Sequence, residues 1–271
     1  MTFAWRRVAA LLAKELAEVR RNRAALVPVV ILAIVTMTLP FVVVIVIPRM
    51  VGEPLASDAD FASMAVRDAS LRGLAHLTDE GAIQAFLFQQ FLLVQLLIPV
   101  AGATAFAGYS LIGEKQARTL EPLLATPITT AELLAAKGLG ALIPAVGIML
   151  ATCLLYLVVI GAVAEPGVLG VLLNRKSAVL VLGLGPAASL VALQVGVLVS
   201  SRVNDPRTAQ QYSAFLILPL TGLFALGLTG AVNMTVPVVV LVLVGLFFLW
   251  LLLVGLGVIL FDREAILTKW R

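Results

Sequence analysis

Long apolar runs separated by short charged intervals dominate the chain. Six of them, near residues 24–47, 86–112, 138–163, 177–200, 208–230 and 236–261, contain no Asp, Glu, Lys, Arg or His. Each meets the roughly 20 residues that a bilayer crossing needs. The pattern predicts an all-α polytopic membrane protein with six transmembrane helices. Ahead of them, residues 3–23 read as an amphipathic interfacial helix. Trp5, Val8, Leu12, Leu16 and Val19 fall within a narrow arc at about 100° per residue, with Arg7, Lys14, Glu18 and Arg21 opposite. A basic face backed by an apolar face suits the headgroup layer. Pro40, Pro99, Pro144, Pro186 and Pro219 fall inside the first five spans, where each removes a backbone hydrogen bond and is expected to kink its helix. Pro237 falls in the first turn of the sixth, where it costs little.

Composition agrees with the pattern. The chain of 271 residues is 61% hydrophobic and only 13% charged, against about 45–50% and about 25% for soluble domains. It reads as one membrane domain, with no internal repeat and no separate soluble unit. Among the 19 Lys and Arg, only Arg49, Arg67, Arg72, Arg175 and Lys176 fall in the intervals that alternate with the N-terminal side. The bias toward the other side places both termini and the 113–137 interval in the cytoplasm. It puts the 48–85 segment outside. There Phe61, Met64, Leu71, Leu74 and Leu77 suggest short surface helices, and Thr78 before Asp79 and Glu80 suggests a cap for the second span. The N-terminus lacks a short apolar core followed by a small-residue cleavage site, so no removable signal peptide is expected.

Few residues could carry covalent chemistry. One cysteine, Cys153, excludes an intrachain disulfide, and it reads as a small packing residue within an apolar run. His76, the single histidine, lacks the convergent partners of a metal site or a catalytic triad. No phosphate-binding glycine loop is present. The chain is therefore expected to be non-catalytic, to bind no cofactor or metal, and to have no nucleic-acid partner. Charge-free spans also weigh against a proton- or ion-coupled carrier, which usually marks its path with titratable groups. Neutral polar residues remain: Gln89, Gln90, Gln95, Thr104 and Tyr109 in the second span, Gln194 in the fourth, and Gln210, Gln211, Tyr212 and Ser213 in the fifth. They serve either as interhelical hydrogen-bonding groups or as the lining of a pathway or dimer seam. Ala101, Thr104, Ala105 and Gly108 add small residues that allow close helix approach.

The interval GEKQARTLEPLLATPITTAELLAAK, 113–137, is the most specific stretch. Glu114 to Leu124 reads as a short helix with Leu120, Leu123 and Leu124 on one side and Glu114 placed to meet Arg118. Pro127 stops it, and Thr130 followed by Glu132 restarts a helix that enters the third span. A short charged helix held between two spans without slack can transmit a displacement.

Glu114 to Pro127, followed by Lys137, closely resembles the signature of ATP-binding-cassette (ABC) transporter permeases of the type-2 export class. That signature is approximately E-[KR]-E-x-G-T-L-E-x-L-L-x-[TS]-P, with a lysine about ten residues on. Glu114, Lys115, Thr119, Leu120, Glu121, Leu123, Leu124, Thr126, Pro127 and Lys137 match, while Gln116 and Arg118 replace a usual glutamate and glycine. Ser201 to Gln211, with Arg202, Asp205 and Arg207, resembles the family's short second cytoplasmic loop. The resemblance implies a permease in the plasma membrane of a prokaryote. It implies a pathway formed with a second, identical or related permease chain. It also implies ABC ATPase subunits, carrying ATP and Mg2+, that push on Glu114, Lys115, Arg118, Thr119, Leu120, Glu121, Leu123, Leu124 and Pro127. An ATPase-independent carrier or channel and a non-transporting membrane scaffold are the rival readings.

Overall fold

The computed structural model describes residues 4–58, 77–116, 129–202, 211, 215, 217–229 and 235–260. All regular elements among these residues are helical. Helix α1, Trp5–Arg21, is separated by Asn22 alone from α2, Arg23–Phe41. The Asn22 side chain accepts a hydrogen bond from the Ala25 amide at 3.2 Å, so one residue ends the first helix and caps the second. A π-helical turn, Val42–Val46, carries α2 into α3, Ile47–Val51. Helices α4, Asp79–Gln95, and α5, Leu97–Gln116, form the second span. Then come α6, Thr130–Val163, and the short α7, Val168–Leu172. The fourth span joins α8, Arg175–Ala178, through a second π-helical turn, Val179–Leu184, to α9, Gly185–Arg202. Helices α10, Ile217–Leu228, and α11, Val236–Leu260, follow.

Five stretches are long and apolar enough to cross a membrane: Arg23–Val51, Asp79–Ser110, Glu132–Val163, Arg175–Val199 and Val236–Gly257. They correspond to the first four and the sixth of the runs read from the sequence. The fifth run, 208–230, is described chiefly over α10, whose 12 residues are too few to cross alone. Its Gln210, Tyr212 and Ser213 lie outside the described residues. So do Phe61, Met64, Leu71, Leu74 and His76 of the 48–85 segment, and Arg263, Lys269 and Arg271 at the C-terminal end.

Proline explains where the helices deform. Each π-helical turn ends two residues before a proline, Val46 before Pro48 and Leu184 before Pro186. Proline lacks the amide that would bond the carbonyl four residues back, and its ring crowds that carbonyl. A wider turn relieves the crowding. Pro99 acts on the second span in the same way. The carbonyl four residues back belongs to Gln95, where α4 ends, and the Leu96 amide bonds the Leu93 carbonyl at 3.2 Å instead. By contrast, α6 runs unbroken through Pro144, so the kinks expected at every internal proline are not uniform.

The second span is the hub. Its most apolar stretch is 83% buried, against 6% for the last span. Helix α5 packs against α9, α6 and α2, while α10 and α7 lie on α4. Small residues set these distances. A Cβ on Gly102 would stand 3.0 Å from the Ala145 Cβ, and one on Gly196 would stand 3.4 Å from the Thr104 Cα. Near the far end of α6, Phe41, Phe88 and Tyr156 pack as a tilted and edge-on trio with centroids 5.4–5.9 Å apart. The fully buried Tyr156 hydroxyl donates to the Phe88 carbonyl at 2.9 Å. At that end Thr78 caps α4, accepting from the Gly81 amide at 2.9 Å, as the sequence suggested. Helix α7 was not foreseen. It tucks Val168, Val171 and Leu172 beneath the surface, and the Gln84 side chain accepts from the Glu165 amide at 3.0 Å beside it.

Candidate functional site

Helix α6 begins at a capping box. The Thr129 hydroxyl accepts from the Glu132 amide at 3.2 Å, and the Glu132 carboxylate accepts from the Thr129 amide at 2.9 Å. Reciprocal bonds of this kind satisfy two amides that the first turn would leave free. The cap lies one residue before the Thr130 start read from the sequence. The same carboxylate reaches across to α1. Its other oxygen accepts from the Ala4 amide at 2.7 Å, and the Arg7 guanidinium stands 3.8 Å away. Glu132 therefore closes the start of α1 and the start of α6 with one side chain.

Above that clasp, Val8 and Leu11 of α1 meet Leu133 and Ala136 of α6 in a small apolar cluster. Next comes a buried ionic triangle drawn from three helices. Lys137 Nζ of α6 donates to Glu15 Oε1 of α1 at 3.0 Å and to Ser110 Oγ of α5 at 2.9 Å. Ser110 Oγ donates to Glu15 Oε2 at 2.6 Å. Glu15 is 1% exposed and Lys137 8%. The approach depends on Gly140, because a Cβ there would stand 2.6 Å from the Glu15 Cβ. Tyr109 borders a void of about 40 Å3 beside this triangle, shared with Glu15, Asn22 and Ser110.

Burial gives this pair its weight. Two charges removed from water repay their desolvation only when geometry and extra hydrogen bonds are both good. Here each partner is also bonded to the serine hydroxyl. The result is a joint between α1, the C-terminal end of the second span and the N-terminal end of the third. Helix α1 rests on the spans along Val8, Leu11, Glu15 and Val19, while Trp5 is 70% exposed. It is thus docked to protein along one side, in addition to carrying the surface-facing groups read from its sequence.

The residues singled out from the sequence fall into three groups. Glu114 and Lys115 lie on the last turn of α5, and Arg202 ends α9. Arg118, Thr119, Leu120, Glu121, Leu123, Leu124, Thr126 and Pro127, with Asp205 and Arg207, lie outside the described residues. Segment 117–128 is nevertheless bracketed, because α5 before it and α6 after it are both tied to α1 through Ser110, Glu132 and Lys137. Among the neutral polar residues, Gln89, Gln90, Gln95 and Thr104 are buried within the single chain. The Gln89 amide donates to Ser177 Oγ at 3.4 Å, and that of Gln194 donates to the Leu253 carbonyl at 3.4 Å. Both link spans to one another. Thr104 bonds back to the Val100 and Ala101 carbonyls of its own helix. The Gln95 amide, at the α4–α5 break, finds no partner among the described residues. Gln211 is exposed.

Sequence reasoning missed Glu15, Ser110 and Gly140. The signal for Glu15 was present: it falls at the edge of the apolar arc of α1, next to Val8 and Val19, where a solvated glutamate has no reason to be. Serine at 110 and glycine at 140 carried no such flag in a chain rich in small residues.

No group of His, Cys, Asp and Glu able to hold a metal ion occurs among the described residues. No curated protein and no solved structure matches the chain. A family model does match, that of the ABC-2 family transporter protein, over residues 9–251, from within α1 to within α11. The chain therefore belongs to the ABC-2 family of transporter proteins.

Proposed function

We propose that this chain is the membrane-spanning permease subunit of an ABC exporter. It forms the translocation pathway with a second permease chain and is driven by separate cytoplasmic ATPase subunits. The observation that carries the reading is the ionic triangle of Glu15, Lys137 and Ser110. It ties the surface helix and both spans flanking segment 117–128 into one unit, so a push delivered there moves spans instead of bending a loop. Family membership supports the ABC setting. Beyond the Glu15–Lys137 joint at the end of the third span, the interiors of the apolar runs hold no titratable side chain of the kind that marks an ion-coupled path, which favours an outside motor over an ion gradient. The pathway or seam residues in this reading are Gln89, Gln90, Gln95, Thr104, Tyr109, Gln210, Gln211 and Tyr212.

The coupling contacts are testable without knowing the cargo. Glu114→Lys with Glu121→Lys is expected to abolish co-purification of the partner ATPase, or to leave it bound with its hydrolysis no longer affected by the permease. Membrane insertion stays unchanged, because neither residue lies in a span interior. Full association and full coupling in the doubly reversed protein would remove the mechanism. Activity of the purified chain alone in lipid vesicles, without any ATPase, would favour a carrier or channel.

Orientation is tested separately. With both termini and segment 113–137 inside, cysteines at Ser57 or Asp58, placed in a Cys153→Ser background, react in whole cells with an impermeant maleimide. A cysteine at Lys115 is protected until the membrane is opened. The reverse pattern would invert the topology.

A further inference from the structure

Between the second, third and fourth spans lies a cleft of about 520 Å3, on the membrane face opposite α1. Its walls are apolar: Leu92 of α4, Cys153 and Leu157 of α6, and Val181 from the π-helical turn of the fourth span. Val181 and Leu182 of the lining lie within the π-helical turn Val179–Leu184. At the mouth stands Arg175, the first residue of the fourth span, exposed and without an ion pair among the described residues. Leu182 of its lining and the nearby Leu154 and Val158 are 61–66% exposed, so it opens sideways along the surface of the bundle.

We infer that this cleft is a binding site for one anionic glycerophospholipid, with an acyl chain along Leu92, Cys153 and Leu157 and the phosphate at Arg175. The dimensions and the charge favour that occupant. A helix of a second copy is about 10–12 Å across and rises about 5.4 Å per turn. The cleft would hold only about one turn of it, whereas an extended hydrocarbon chain can lie along its length. A cation at the end of a transmembrane helix stands at headgroup depth, where its natural counter-charge is a lipid phosphate. The polar atoms at the rim are already engaged. Asn174 accepts from the Ser177 amide at 2.8 Å and donates to the Val171 carbonyl at 2.7 Å, which leaves the Arg175 guanidinium as the group free to select a headgroup. This site does not depend on the transport reading and would persist in a scaffold.

Cys153, the single cysteine of the chain, reports on the cleft directly. The experiment follows its reaction with N-phenylmaleimide in the purified full-length protein, in micelles with and without 1-palmitoyl-2-oleoyl-phosphatidylglycerol. The added lipid is expected to slow the reaction saturably, and phosphatidylcholine to act more weakly. Arg175→Gln should raise the phosphatidylglycerol concentration needed by about fivefold, the weight of one cation at an anionic lipid surface. Leu182→Trp, a change at an exposed position that intrudes on the mouth, should protect the thiol without lipid. Elution of each variant as a single species controls for folding. Reactivity indifferent to lipid would overturn the proposal, and so would equal protection by both lipids that Arg175→Gln leaves unchanged. Efficient Cys153–Cys153 cross-linking by a short bis-maleimide would place a second copy in the cleft and overturn it as well.

Discussion

Lys137→Met is expected to be among the most damaging single substitutions in the protein. It removes one half of a buried ion pair and leaves Glu15, 1% exposed, charged against Gly140 and Ser110. Breaking a buried pair by deleting one partner costs about 3–5 kcal/mol, whereas an exposed pair such as Lys14–Glu18, 3.3 Å apart, is worth about 0–1 kcal/mol. The loss should appear as a lower Tm in detergent and as faster hydrogen exchange throughout α1. Removing both charges is a different change. Glu15→Leu with Lys137→Met is expected to recover most of the stability, because a well-packed apolar replacement of a buried pair is often neutral or better. Ser110 can then turn its hydroxyl to a carbonyl of its own helix. A double variant no more stable than Lys137→Met alone would show that the joint is held by packing and not by charge. Under the proposed function, a double variant that still couples to an ATPase would make rigidity the requirement, and one that folds but uncouples would make the charges themselves matter.

The second large effect is expected at Tyr156, at the other end of the third span. Its ring is fully buried between Phe88 and Phe41, and its hydroxyl reaches the Phe88 carbonyl at 2.9 Å. The two contributions separate cleanly. Tyr156→Phe keeps the ring and loses one interhelical hydrogen bond, which averages about 0.6 kcal/mol within membranes. Tyr156→Ala opens a cavity as well. Aromatic-to-alanine changes in soluble cores cost about 3–5 kcal/mol. That range is an upper bound here, because lipid tails are as apolar as the core and only the packing contribution remains. Thermal unfolding in one detergent should therefore rank the wild type just above Tyr156→Phe and both well above Tyr156→Ala. Equal losses in the two variants would assign the trio's stability to the hydrogen bond.

What the sequence disclosed follows from the physics of the bilayer. An apolar run that must satisfy its own backbone is a helix, so five of the six predicted spans coincide with long apolar helical stretches, although the second and third begin seven and six residues earlier than read. Thr78 could be read, and the start of α6 to within one residue, because capping is local chemistry. Lys137 was visible through its place in a family signature, but its partner was not. Glu15 is 122 positions away, and no local rule links a glutamate on one surface helix with a lysine at the foot of another. The polar residues of the second span illustrate the same limit. Glutamine in a charge-free helix signals a partner somewhere, yet nothing in the spacing tells that Gln89 faces Ser177 within the chain. Proline gave only some of the positions of helix distortion. Pro186 follows a widened turn and Pro99 a helix break, as expected, whereas α2 continues through Pro40 and the widened turn of the first span precedes Pro48 instead, and α6 runs through Pro144.

The one-residue hinge at Asn22 has a further consequence. Helix α1 is seated on the third span through Glu15 and Lys137, and on the first span through a backbone joint with no spare length. It is therefore joined to two spans at once. Under the proposed function, a torque about its axis would reach the Arg23 end of the first span and the N-terminal end of the third together. A loop of several glycines inserted after Asn22 would disconnect the first span while sparing the link to the third.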